Sequence, residues 1–310
     1  MFIYQATYSR YHSRKFNIKI HLRKRILTKK IIFGILLLLT AVFGWSFLPS
    51  SPGKMTLIDQ QYRQYSTTCP ALINVKSTAP TDALNSTFSL LNWNIYKQQH
   101  QQWSNKLNEW ANQADLITLQ EAKYDQDLIH FSQQQKLSYY QNIAFNYQKQ
   151  NYGVNTFSRV QAQQACGTRY SEPWTLVPKT GIATTYAFKD TTQSLLLVNL
   201  HGVNFTFTAE PLKEQVAPYI QLIEQHQGPI IISGDFNTWS EARTKEIIGT
   251  LVKAGFNETQ FSKDQRLTIL GLPLDHIFFR DLEMINAKSI ATIASDHTPQ
   301  LVTFSLLTKN

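Results

Sequence analysis

Six apolar stretches of this chain run into, or out of, a side chain able to hold a proton or a cation, and this recurrence narrows the fold more than any other feature. Leu90-Leu91 leads through Asn92-Trp93 to Asn94, and Leu116–Leu119 leads through Gln120 to Glu121. Leu195–Leu200 leads to His201, and Ile230–Ile232 leads through Ser233-Gly234 to Asp235-Phe236-Asn237. Asp275-His276 precedes Ile277–Phe279, and Ile290–Ile293 precedes Ser295-Asp296-His297. Short apolar runs bounded by polar residues read as buried strands. One polar strand end is ordinary. Six of amide, carboxylate or imidazole type call for a fold that gathers strand ends into one pocket.

The rest of the pattern suits such a fold. Strands are expected at 87–93, 116–119, 139–145, 153–157, 181–188, 195–200, 230–232, 274–279, 283–293 and 300–306. Trp103, Leu107, Trp110 and Ala114 fall at helical spacing. Further helices are expected at 128–137, 216–226 (closed by Gly228-Pro229) and 241–253. Strands and helices mixed through both halves predict an α/β fold, two sheets face to face with helices outside. The Trp93, Trp103 and Trp110 group is expected in the core.

Charge locates a different function. The chain carries 30 Lys/Arg against 21 Asp/Glu. Nine of the basic residues lie within residues 1–30, which hold no acidic residue; the other 21 match the acidic ones, so the body is neutral. A basic domain would be the footprint of nucleic-acid binding, and here the basicity belongs to a tail. Ile31 to Leu48 follows, 18 residues interrupted only by Gly34, Thr40, Gly44 and Ser46. As a helix it would be about 27 Å long, close to the thickness of a bilayer's hydrocarbon. The expected organisation is therefore a basic cytoplasmic tail (1–30), a transmembrane helix (31–48), a polar linker (49–86) and a catalytic domain (87–310). The positive-inside rule places the catalytic domain outside the cytoplasm, on a single-pass inner-membrane protein. A cleaved signal peptide is one alternative, although no Ala-x-Ala site follows Leu48. A buried soluble helix is the other, with an unusually basic flank. Cys69 and Cys166 either form one disulfide tying linker to domain or are two unrelated thiols.

Asn92-Trp93-Asn94-Ile95, Leu119-Gln120-Glu121, Asn199-Leu200-His201, Gly234-Asp235-Phe236-Asn237, Leu274-Asp275-His276 and Ser295-Asp296-His297, in that order, resemble the endonuclease/exonuclease/phosphatase superfamily, closest to a small bacterial YafD-like subgroup. The resemblance covers about residues 87–306. It implies a four-layered α/β/β/α sandwich, hydrolysis of phosphate esters, and a divalent cation, Mg²⁺ with Mn²⁺ as a substitute. It implies Glu121, Asn94 and Asp296 as metal ligands, with Asp235 as base or orienter of the attacking water and Asn237 positioning it. It further implies His297 as phosphate contact or proton carrier, Asp275 as the carboxylate fixing His297, and His201 as donor to a phosphate oxygen. His276 reads as packing or surface. Asn199-Leu200-His201 departs from the Tyr-x-Pro-Asn type of segment in abasic-site endonucleases, which turns expectation away from that branch. The expected partners are a phosphate ester (nucleic acid, phospholipid or inositol phosphate) and, through residues 31–48, the bilayer; no protein partner is expected. The competing class is a membrane-anchored binding module without catalysis.

Overall fold

The computed structural model describes residues 29–38, 40, 48–75, 83–173, 175, 177–206 and 208–307. Met1–Leu48 and Pro49–Asn310 form separate compact units. In the first, residues 29–38 are helical and exposed. Residues 1–28, 39 and 41–47 lie outside the described ones, and with them most of the basic tail and eight of the 18 residues of the expected membrane span. Among the described residues no helix is long and apolar enough to cross a membrane.

The second unit holds two mixed sheets. Its strands in chain order are β1 (Leu57–Asp59), β2 (Gln64–Tyr65), β3 (Ile73–Asn74), β4 (Thr87–Asn94), β5 (Leu116–Tyr124), β6 (Ser138–Tyr147), β7 (Gln150–Ser158), β8 (Gln164–Ser171) and β9 (Pro178–Ala187). They continue as β10 (Ser194–His201), β11 (Ile230–Asp235), β12 (Asn257–Glu258), the small pair β13 (Thr268–Ile269) and β14 (Leu272–Pro273), β15 (Asp275–Arg280), β16 (Leu282–Ser289) and β17 (Gln300–Leu306). The first sheet runs β16-β17-β4-β5-β7-β6-β1-β2 and the second β12-β15-β11-β10-β9-β8-β3. Only β4/β5 and β10/β11 pair in parallel within these sheets. Helices α1 (Trp103–Ala111), α2 (Gln126–Gln134), α3 (Glu210–Gln225) and α4 (Glu241–Lys253) complete the unit.

Alternation along β4 explains the layering. Phe88 and Leu90 join Ile182, Leu197 and Ile231 of the second sheet in one core between the sheets. Leu91 and Trp93, on the other face, pack with Leu107 and Trp110 of α1 and Phe131 of α2. A strand covered on both faces is apolar on both. Val198 and Ile232 meet α3 and α4 through Val216 and Ile247 on the far side, so the order of layers is α/β/β/α. Each fully buried large side chain contributes about 1.5–3 kcal/mol. Asp125 starts α2 by accepting a hydrogen bond from the Leu128 amide at 3.0 Å.

Toward the strand ends the intersheet space turns polar. Gln120 donates to Asn92 Oδ1 at 2.9 Å and to Asn199 Oδ1 at 2.7 Å, and Thr118 meets Ser233 at 3.0 Å. The Gln120–Asn199 and Thr118–Ser233 bonds cross from sheet to sheet and fix how the two strand ends face each other.

Three expectations are corrected. The segment expected as a linker is built into both sheets: β1 pairs with β6, and β3 with β8. Arg169 also binds the carbonyls of Pro52 and Lys54, and Cys69 is joined to Cys166. The strand expected over 283–293 stops at Ser289, so Ser295-Asp296-His297 sits on a loop and closes no strand. Helix α3 begins six residues earlier than 216 and accommodates Pro218. Residues 76–82 of the expected linker lie outside the described residues.

Candidate active site

Register makes the first row of the site. His201 on β10 lies opposite Asp235 on β11, and Asp235 opposite Asp275 on β15. Three chemistry-bearing residues thus stand side by side across three strands. Gly234 allows the approach: its φ is 151°, and a Cβ there would lie 1.9 Å from the Leu200 carbonyl oxygen. After Asp235 the chain turns. The Asn237 amide donates to Asp235 Oδ1 at 2.9 Å with Asn237 at φ 52°, a left-handed position that Asn tolerates. The Asn237 side chain donates to the Gly202 carbonyl at 3.0 Å.

The first sheet supplies the opposite wall. Asn94, the last residue of β4, donates to Asp235 Oδ2 at 2.9 Å across the intersheet gap. Glu121 sits at a register shift between β5 and β7, with φ 53°. A bulge re-aims a side chain off the regular pleat, and Glu121 turns toward His201, 3.8 Å away. The left-handed turn through Tyr96, Lys97 and Gln98 brings the Lys97 ammonium onto Glu121 Oε2. The loop carrying His297 is tied to the same strand end: Ser295 donates to the Asn94 carbonyl at 2.7 Å, and the Trp93 indole to the His297 carbonyl at 3.0 Å. His297 then sets Nδ1 2.7 Å from Asp275 Oδ2 and Nε2 3.9 Å from Asp235. His201 Nε2 lies 3.6 Å from Asp235.

Burial and charge divide the roles. Asp235 is 2% exposed, and burial pushes its carboxyl up to about 6, with Asp275 adding repulsion and His297 opposing. Burial would discharge His297, but the Asp275 and Asp235 charges and the Asp275 hydrogen bond raise it to about 10. Glu121 would likewise be pushed up by burial, yet the Lys179 and Lys97 ammoniums outweigh this and hold it below its ordinary value. Burial, reinforced by Lys179 and Lys97, drives His201 far below 6.5. At neutral pH the site therefore holds a neutral His201, a charged His297 and a carboxylate, Asp235, near its own titration point. Such a separation of titrating groups suits acid–base work.

The charged His297 depends on Asp275. Asp275→Asn is expected to bring the His297 titration down by at least about 1 unit, because burial then acts against less opposition. Imidazole NMR resonances followed against pH measure this; an unmoved titration would dissociate the two groups. The stability linkage has a definite sign. With a folded value near 10 against 6.5 unfolded, the His297 contribution is full below pH 6.5 and is lost as pH rises through 10.

The donor set fits a hard divalent cation. The Glu121 carboxylate and the Asn94 side-chain oxygen are hard ligands of the kind Mg²⁺ prefers; Glu121 already pairs with one cation, the Lys97 ammonium, and the Asn94 oxygen accepts from the Tyr96 amide at 3.0 Å, so a cation would take the place of these partners. Ligand atoms of Asp235, Asp275 and His297 also lie within 4.8 Å of one another. There, however, His297 Nδ1 and Asp275 Oδ2 are engaged with each other, which suits proton handling better than coordination.

A model of the endonuclease/exonuclease/phosphatase family matches residues 91–297, a segment that begins in β4 and ends at His297. The chain belongs to the endonuclease/exonuclease/phosphatase family. It is 38% identical over 291 residues to a UPF0294 protein of Vibrio vulnificus, covering 93% of this chain and 99% of that relative. Its fold is similar to the human Nocturnin catalytic domain with bound sulfate (TM-score 0.57, 16% identity, 74% of this chain and 97% of that one). It is also similar to ANGEL2, a 2',3'-cyclic phosphatase (TM-score 0.58, 14% identity, 71% and 96%).

Seven of the eight residues marked from sequence converge: Asn94, Glu121, His201, Asp235, Asn237, Asp275 and His297. Asp296 stands at the rim: its side chain is exposed, and its charge reaches His297. His276 is packing, as expected, buried between Thr238 and Glu258 at 2.7 Å from each. Sequence reasoning passed over Lys97 and Lys179. Both line a cavity of about 340 Å³ together with Glu121 and His201, closed on its apolar side by Phe145 and Phe205. Lys97 carried a signal, since it stands three residues after Asn94. Lys179, at the start of β9, carried none.

Proposed function

We propose that this chain is a divalent-metal-dependent phosphoesterase whose cation is held by Glu121 and Asn94. The observation that carries this reading is the convergence of Asp235, His297 and Asp275 beside Glu121, at the facing strand ends of two sheets. The bound cation would supply Lewis-acid stabilisation of charge developing on phosphate. Asp235 accepts the proton of a water, held on its other side by the Asn94 amide and the Asn237 turn. His297, charged and fixed by Asp275, presents Nε2–H to a phosphate oxygen or to the leaving group. The ANGEL2 likeness favours a nucleotide-type ester, and the apolar wall of the cavity accommodates a lipid-type one; phosphorus is the reacting centre in both.

The membrane setting is part of the proposal. The basic tail followed by the apolar run at 31–48, together with the Cys69–Cys166 pairing, supports an anchored chain whose catalytic unit lies outside the cytoplasm. The test is turnover of bis(p-nitrophenyl) phosphate by the full chain in detergent, with Mg²⁺ or Mn²⁺ and with chelator. Hydrolysis is expected only with the cation and is expected to vanish in Glu121→Gln. A folded chain that binds no cation and hydrolyses no phosphoester is the binding-module outcome, and overturns the reading.

A further inference from the structure

We infer that the Lys179 ammonium is the group that contacts a non-bridging phosphate oxygen, and that His201 acts through it as a positioning residue. The inference rests on the phosphoesterase reading and deepens it.

Lys179 Nζ lies 2.8 Å from His201 Nε2. An ammonium has three hydrogens and no lone pair, so the bond can run in one direction only, from Lys179 to the imidazole. Nε2 is then an acceptor and has no proton to offer a phosphate oxygen. The donor role that the family resemblance implies for His201 passes one atom outward, to a nitrogen with two hydrogens still unused. Lys179 is also differently placed from its neighbour. Lys97 is paired with Glu121, whereas among the described residues no carboxylate lies within 4.0 Å of Lys179 Nζ. A half-buried cation on the wall of a cavity, with no close ion pair and acting on Glu121 and Asp235 only through space, is a site for an anion. Gln215 holds the other end of the arrangement, donating to the His201 carbonyl at 2.8 Å. His201 therefore aims the lysine from a fixed base, as a donor for developing oxyanion charge requires.

The test uses inorganic phosphate as probe, with the full chain in detergent, by titration calorimetry without divalent cation and again with Mg²⁺. Lys179→Met is expected to weaken phosphate binding at least about tenfold, and Lys179→Arg to restore most of it. His201→Gln, which keeps an acceptor facing the lysine, is expected to fall between them. Lys179→Gln is the second variant should the methionine change unfold the chain, with circular dichroism as the check. Unchanged phosphate affinity in a folded Lys179→Met or Lys179→Gln chain overturns the inference, as does an unmodified chain that binds no phosphate. The binding readout separates this claim from catalysis. Lys179-dependent phosphate binding without any hydrolysis leaves the inference standing and removes the enzyme. Hydrolysis with Lys179-independent binding does the reverse.

Discussion

Asp235→Asn is expected to lower turnover at least about 10³-fold while the fold persists, the scale on which loss of a positioned base is felt. Asparagine fills the same volume, and the surrounding strands pair through backbone groups it does not touch. Its chemistry differs at both oxygens. Asp235 Oδ1 accepts from the Asn237 amide and Oδ2 from the Asn94 side chain. An amide can satisfy one of these donors; its NH₂ must face the other, so Asn94 or the 235–237 turn gives way locally. The lost group is, among the described residues, the only carboxylate joined by register to His201 and Asp275 at once. The pH profile supplies a second readout. Asp235 is pushed up to about 6, so it must lose a proton before it can accept one. The rate of the unmodified chain should rise with pH through a limb at or below about 6, since a bound cation pulls a neighbouring carboxylate lower. That limb should be absent in Asp235→Asn. A folded variant with near-normal turnover and an unchanged profile would remove Asp235 from the chemistry.

The site was legible where the side chain's reason for being there is local. Gly234-Asp235-Phe236-Asn237 announces a strand that ends on a glycine-demanding contact and turns left-handed at an asparagine. Both needs are visible in residue type alone. His297 was legible as a residue but misplaced as a strand end. Ile290–Ile293 has the composition of a strand but among the described residues only its first residue is paired, the Ile290 amide donating to the Pro299 carbonyl, and what fixes the loop is Ser295 on the Asn94 carbonyl, some 200 residues away in sequence. Glu121 was found without its bulge, which exists only in the pairing of β5 with β7.

The edge strands β1 to β3 were hidden for a related reason. Runs of two or three residues have too little pattern to declare themselves, and the sheet edge they meet decides their conformation. Lys179 is the clearest case. Pro178-Lys179-Thr180 precedes the strand expected at 181–188, and only the packing of β9 beside β10 brings the ammonium to His201. Contacts of this kind are properties of the assembled sheets, and no window of sequence contains them.

Reduction of Cys69–Cys166, or Cys69→Ser with Cys166→Ser, is expected to lower the stability of the second unit by about 2–5 kcal/mol. The two cysteines are 97 residues apart in sequence, with Cα atoms 5.1 Å apart. Closing a loop of that length restricts the unfolded chain substantially, and long loops gain most from closure. Both residues are buried against Val198 and Leu200 in the core under α3. The bond fastens the segment after β2 to β8, two strands from His201. Removal should therefore melt the edge before the centre. Thermal denaturation with and without reductant measures the total effect, and amide exchange over 57–75 locates it. An unchanged melting temperature after complete reduction would show that β1 to β3 hold without the bond. The same chemistry tests the proposed placement. A chain facing an oxidising compartment should resist alkylation in intact cells until reductant is added, whereas one facing the cytoplasm should present two free thiols once unfolded, because glutathione keeps such pairs reduced.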